Sequence, residues 1–256
     1  MTDGPKINPG DIILWPMLKM TYDTSPEKIR ALLPPGIETS DTSQVHLTTY
    51  CFPVPDVPEY GVLINVDADY QGEKGFYTLG YGIDQESAVF ISRDRNGQPK
   101  YPCQIDYYRM LDTVHARCTH QGYTFLEFDG KAAEPVDHPP EHTETEWWIK
   151  VSPGVGMDPQ QVTYDFPPHV VRVHTKYGTA FNQKVEGTLT LRDSPWDPIA
   201  ELLPMESEVS ARLWTPSAFE RDITLAGKLD PDAFAPFIDT ISGSRWPGQS
   251  GGPKRG

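Results

Sequence analysis

Lys100 lies in Ser92-Arg93-Asp94-Arg95-Asn96-Gly97-Gln98-Pro99-Lys100-Tyr101-Pro102, a turn-rich stretch that pins it between two prolines. A lysine amine attacks carbonyl carbon, and the resulting Schiff base acts as an electron sink. Such a lysine needs burial or a neighbouring cation. Without either, a lysine between prolines is a surface turn residue. A second candidate is Asp137-His138-Pro139-Pro140-Glu141-His142, whose two histidines stand four apart among acids. Pro139-Pro140 forbids the helix that would bring both imidazoles to one face, so the segment reads as a solvated acidic loop and no metal site is expected. His169 and His174, five apart on an expected strand, face opposite sides of it. The many carboxylates cannot be sorted into an acid and base pair by spacing alone. GxGxxG and GxxxxGK[ST] are missing, which removes the dinucleotide and P-loop readings.

The elements that must position Lys100 are mostly strands. The 256 residues include 26 prolines, a density that long helices do not survive but short strands joined by turns do. Val45–Phe52, Gly61–Tyr70, Phe76–Tyr81, His169–His174 and Gly187–Arg192 read as strands. The turn Gln71–Gly75 precedes one of them. Thr113–Cys118 and Tyr123–Phe128 flank His120-Gln121-Gly122 and form a hairpin candidate. Three short helices are expected. Ser25–Leu33 has Ser25 as N-cap and Pro26 at the first helical position, and Pro34-Pro35-Gly36 stops it. The others are Ser194–Leu203 and Asp230–Ile238. Lys131–Glu146 reads as a long polar loop. The fold class is therefore mainly β (α+β), a large antiparallel sheet or barrel with a few short peripheral helices. Residues 1–241 read as a single domain and 242–256 as a flexible C-terminal tail.

The formal net charge is −14, which disfavours nucleic-acid and membrane-surface partners, and the most basic stretch is only Pro253-Lys254-Arg255. Cys51, Cys103 and Cys118 are odd in number and lack CxxC spacing, which points to a reducing, cytoplasmic setting. Met1-Thr2-Asp3-Gly4-Pro5 carries no basic-then-apolar signal, and Ile12–Leu18 is too short to span a membrane.

The Lys100 segment and its surroundings resemble the acetoacetate decarboxylase superfamily. Gly72-Glu73-Lys74-Gly75-Phe76-Tyr77 is similar to that family's G-x-K-G-x-Y, and Asp84-Gln85-Glu86-Ser87-Ala88 to its D-x-E-x-A. Arg93-Asp94 fits G-R-E with Ser92 in place of glycine. Gly97-Gln98-Pro99-Lys100 fits G-[FY]-P-K, which ends in the catalytic lysine. Tyr22–Glu38 resembles the first strand and helix. Asp197-Pro198-Ile199-Ala200, Leu203-Pro204 and Glu208-Val209 resemble D-P-L-A-x-L-P-x-x-E-[VI]. The match runs from about residue 10 to 240 and is most specific in its centre.

The resemblance implies a β-cone or barrel in a homo-oligomer, a tetramer or larger, with Lys100 in the interior pocket. It implies a Schiff base between Lys100 and a ketone or 2-oxo acid. No cofactor is expected, because the lysine itself supplies the electron sink. Several positions depart from the decarboxylase pattern. Tyr101 stands where a second lysine follows the first, leaving burial, with help from Arg93 or Arg95, to tune Lys100. Tyr22-Asp23-Thr24 replaces Y-R-T, inverting the charge that handles the substrate carboxylate. Thr48 replaces an acid. The second pocket glutamate is either Glu59, by a small shift, or lost at Gly61. Gln98 replaces an aromatic. These departures favour a lyase acting on small 2-oxo acids, a pyruvate aldolase-dehydratase or a hydratase of an unsaturated 2-oxo acid. Gln98 and Arg93 are the candidates for binding the carboxylate, and Glu59, Tyr60 and Glu208 for proton transfer. A 3-oxo-acid decarboxylase using the same lysine, and a non-catalytic small-ligand barrel, are the alternatives.

Overall fold

The computed structural model describes residues 16–52, 58–156, 162–242 and 245–254. Met1–Pro5 and the first part of Ile12–Leu18 lie outside the described residues. In chain order the elements are β1 (Met17–Asp23), α1 (Pro26–Leu32), β2 (Glu38–Thr39), β3 (Gln44–Phe52), β4 (Glu59–Tyr70), β5 (Glu73–Ile83), α2 (Glu86–Asn96) and β6 (Lys100–Pro102). They continue as β7 (Gln104–Met110), β8 (Thr113–His120), β9 (Tyr123–Pro135), β10 (His142–Pro153), β11 (Tyr164–Leu191) and α3 (Ile199–Leu202). The last are β12 (Ser210–Lys228), α4 (Pro231–Phe234), a 3-10 turn (Ala235–Phe237) and α5 (Asp239–Ser242).

Local chemistry accounts for several of these boundaries. The Ser25 hydroxyl accepts from the Lys28 amide at the start of α1, with Pro26 in the first turn. The β4–β5 hairpin turns on Gln71 and Gly72, and the β8–β9 hairpin on Gln121 and Gly122. All four residues take positive φ, the two-residue geometry that matches strand twist.

The strands make one sheet. Its order runs β10-β5-β4-β3-β1-β12-β11, and β11 pairs back onto β10, which closes the wall into a barrel. β9, β8 and β7 extend the sheet outward from β11. The length of β11 allows both roles, since His169–Tyr177 pairs with β10 and Gln183–Leu191 with β9. The mainly β fold with few short helices is as expected. The sheet is mixed rather than wholly antiparallel, because β5 runs parallel to β10 and to β6. Parallel neighbours need a crossover, and α2 supplies the one between β5 and β6. That helix has no apolar period to announce it. Only Val89 is buried, and Phe90 and Ile91 face solvent.

Two other expectations are corrected. The long loop expected over 131–146 is mostly strand, because Lys131–Pro135 pairs with β11 and β10 begins at His142. The C-terminal segment does not behave as a free tail. Arg245 and Trp246 are buried, and both donate to the buried Asp197 carboxylate.

Strand alternation divides the interior. In β1, Leu18, Met20 and Tyr22 join a large apolar cluster that also takes Ile29 and Leu32 of α1. Met17 joins a second cluster with Tyr50, Tyr81, Trp148, Val173 and Trp214, and of these Met17, Tyr50 and Tyr81 line the barrel cavity. Gly97 ends α2 with φ +69, and a Cβ there would lie 2.5 Å from the Ile149 carbonyl oxygen. The residue therefore sets how the chain enters Gln98-Pro99-Lys100. Gly97→Ala is expected to cost about 1–3 kcal/mol of stability, measured by urea denaturation, from left-handed strain plus this contact.

Candidate active site

The barrel encloses a cavity of about 570 Å³. One cross-strand row crosses its wall: Arg212 pairs with Lys19, Lys19 with Thr48, Thr48 with Leu63, Leu63 with Tyr81, and Tyr81 with Lys100. All six residues line the cavity. Paired residues share a face of the sheet, so this register alone turns them inward together.

Lys100 is 9% exposed and Glu59 is 7% exposed. The Lys100 Nζ lies 3.2 Å from Glu59 Oε2. Tyr50 donates its hydroxyl to Glu59 Oε1 at 3.1 Å. Gly61 makes this arrangement possible. It stands opposite Tyr50 in the β3–β4 pair, and a Cβ on it would sit 2.2 Å from the Tyr50 ring. Burial, and then the Glu59 charge, push the Tyr50 phenol well above its usual range, so it remains a proton donor. Gln98 also lines the cavity, and its carbonyl accepts from the Lys100 amide at 2.7 Å.

A second buried carboxylate, Glu146, faces the same space. It accepts from Asn65 Nδ2 and the Tyr81 hydroxyl, both at 3.1 Å, and Arg221 stands 3.8 Å away. Burial raises the Glu146 carboxyl, and the opposing pull of Arg221 and Asn65 does not cancel it. A third carboxylate, the partly buried Glu144, accepts from Lys19 Nζ at 2.9 Å, and Lys19 lies 4.3 Å from the Trp214 ring.

The structure thus brings Lys100, Glu59 and Gln98 into one cavity. It does not bring the other candidates there. Tyr60 is half-buried against the larger apolar cluster, Arg93 lies on α2, and Glu208 is exposed before β12; none lines the cavity. Tyr60 follows Glu59 directly, so strand alternation turns it to the opposite face. Arg95, the other proposed neighbour of Lys100, is exposed. Tyr50, Glu146, Lys19, Arg212 and Arg221 were missed by the sequence reading. The signal was weak: polar residues at alternate positions of strands, which also describes a solvated face. Thr48, which replaces an acid, lines the cavity with its polarity kept. The Asp137–His142 segment is mostly exposed, and His142 stands 3.5 Å from Glu144. Among the described residues no group of three or more metal-binding side chains forms, and no helix is long and apolar enough to cross a membrane.

Behind Lys100, Tyr101 points away from the cavity. The Arg245 guanidinium lies 3.5 Å from its ring centroid and pairs with Asp197, which is fully buried and also bonds His120 at 2.8 Å. The C-terminal segment therefore braces the strand that carries Lys100.

A closed barrel with a buried amine and carboxylate in its cavity is the framework that relatives must match. The acetoacetate decarboxylase (ADC) family model matches residues 4–227, and the chain belongs to that family. Among solved structures, the acetoacetate decarboxylase of Legionella pneumophila superposes with a TM-score of 0.66 at 17% identity, covering 89% of each chain. The enduracididine biosynthesis enzyme MppR with HEPES buffer bound gives 0.64 at 16% identity over 84% of this chain and 86% of that one. The same enzyme complexed with pyruvate gives 0.60 at 18% identity, covering 84% and 87%. An acetoacetate decarboxylase-like enzyme from Sphingomonas wittichii RW1 gives 0.63 at 16% identity, covering 84% and 91%. At these identities the likeness is one of fold. A search of curated protein sequences finds no significant match.

Two ion pairs make measurable predictions. Arg245→Ala leaves a buried Asp197 carboxylate short of its main counter-charge and should cost about 3–5 kcal/mol in chemical denaturation, with Arg245→Lys recovering part. For Glu144, burial works upward, but Lys19 and His142 outweigh it and hold the carboxyl at about 2. A depressed carboxyl stabilises the fold above its unfolded value of about 4.3 and loses that contribution as pH falls through the folded value. Glu144→Gln should therefore be less stable than the parent at pH 7, by on the order of 2 kcal/mol. The gap should shrink steadily as urea titrations are moved from pH 5 towards pH 2.

Proposed function

We propose that this protein is a Schiff-base lyase acting on 2-oxo acids, as a pyruvate aldolase-dehydratase or as a hydratase of an unsaturated 2-oxo acid. The observation that carries the reading is the burial of Lys100 in the cavity with Glu59 3.2 Å from its Nζ. The deprotonated amine attacks the ketone carbon and the carbinolamine loses water, leaving an iminium. Loss of a proton from the adjacent carbon gives an enamine. That enamine adds to an aldehyde carbonyl, or expels a hydroxyl further along the chain; hydration is the reverse of the latter. Glu59 is placed to take the proton from the ammonium, and Tyr50 to donate to Glu59 while it is charged. Gln98, beside Lys100, is the candidate partner for the 2-oxo carboxylate.

Family membership supports a lysine-dependent enzyme, and a fold shared with a pyruvate-bound enzyme is consistent with a 2-oxo acid in the cavity. The lyase reading is preferred to a 3-oxo-acid decarboxylase because the residue after Lys100 offers no second cation. Tyr101 is directed at Arg245, away from the cavity.

The test is intact-mass spectrometry after incubation with pyruvate, or with acetoacetate, followed by borohydride. A pyruvate adduct that maps to Lys100 and disappears in Lys100→Ala is expected. Release of carbon dioxide from acetoacetate would move the assignment to decarboxylase. Tight binding of either acid with no adduct, and unchanged affinity in Lys100→Ala, would make the barrel a binding protein.

A further inference from the structure

Among the described residues, four lysine and arginine side chains line the cavity, and three of them have a carboxylate partner there. Lys100 faces Glu59, Lys19 faces Glu144 and Arg221 faces Glu146, at 3.2, 2.9 and 3.8 Å. Arg212 is the fourth. It is half-buried, and among the described residues it makes no ion pair or side-chain hydrogen bond. A guanidinium removed from much of its water without an anion is unfavourable, and in a chain of net charge −14 acidic partners are plentiful. Among the described residues the cavity lining therefore carries one more lysine or arginine than carboxylates, inside an acidic protein.

The position of that charge is as informative as its sign. Arg212 and Lys100 sit at the two ends of the cross-strand row through Lys19, Thr48, Leu63 and Tyr81. They face the same cavity from different strands, β12 and β6. The guanidinium fork matches a carboxylate with two parallel hydrogen bonds.

We infer that Arg212 is a subsite for a second carboxylate, so that the substrate is a 2-oxo acid with a further anionic group remote from the reacting carbonyl. The inference deepens the imine reading and relies on it only for the carbonyl end. Lys19 and Arg221 are less suited to the role, because each already faces a glutamate and an incoming anion would compete with it.

The experiment compares 2-oxoglutarate with 2-oxopentanoate, which have the same five-carbon chain and differ in the terminal carboxylate. Borohydride-trapped adduct is read by intact mass across concentration. The parent protein should be half-labelled at a concentration at least about tenfold lower with 2-oxoglutarate, the size of one charge-assisted contact. In Arg212→Ala and Arg212→Gln that ratio should fall to within about twofold of unity, and Arg212→Lys should keep part of it. A ratio near unity in the parent, or a ratio that Arg212 variants with parental melting temperatures leave intact, overturns the subsite. Glutarate and pentanoate, which have no ketone, separate the two readings. If neither 2-oxo acid labels Lys100 but glutarate raises the melting temperature in an Arg212-dependent way, the imine assignment fails and the subsite stands. If glutarate stabilises no more than pentanoate and no label forms, both fail.

Discussion

Removing a lysine ammonium from water is costly unless an anion goes with it, and the centre of this structure is arranged around that constraint. Lys100 is almost fully buried, and Glu59 accompanies it. Glu59 is buried as well, so its second oxygen needs a donor, and Tyr50 supplies one. The Tyr50 ring in turn needs room over the neighbouring strand, which Gly61 leaves open. A buried amine, the carboxylate beside it and a fixed hydroxyl donor are thus linked by the need to satisfy each buried polar group.

The barrel wall makes this possible by placing β6 beside β5. β5 runs parallel to β10 at Phe76–Tyr77 and to β6 at Tyr81–Ile83, so one strand serves both closure and the lysine. α2 provides the return path for the chain, and Gly97 the sharp exit from it. On the far side of β6, the stack of Tyr101 and Arg245 over Asp197 holds the strand from behind. The lysine is therefore gripped by backbone pairing on one side and by a buried ionic cluster on the other. Such clamping fits the role proposed for Lys100, since attack on a carbonyl depends on approach geometry.

Charge is sorted in the same way. The chain is strongly acidic, yet among the described residues its cavity pairs acids with bases and leaves Arg212 over. Net charge therefore says little about ligand charge in a closed barrel, where low-dielectric walls make the local inventory dominant.

Much of this was legible in the residues. Proline density and β-rich runs indicated a strand-dominated fold. Ser25-Pro26 marked a helix start, and both glycine turns marked hairpins. The spacing from Gly72 to Lys100 resembled one family's pattern and singled out one lysine. These features are local, because they depend on backbone propensity and on contiguous motifs. The partners of Lys100 were a different matter. Glu59 was an alternative to Gly61, Tyr50 went unremarked, and Tyr60, Glu208 and Arg93 were chosen although they lie away from the cavity. Strand alternation separates Glu59 from Tyr60 only once it is known which face is inside, and that depends on the closing pairs between β10, β5 and β11. The same holds for the C-terminal segment, which looks like a tail until Asp197, some fifty residues earlier, is seen to be its anchor. Local propensity determined the strands and turns, and a contiguous motif singled out Lys100. Register and closure, which are long-range pairings with no contiguous signature, decided which side chains meet.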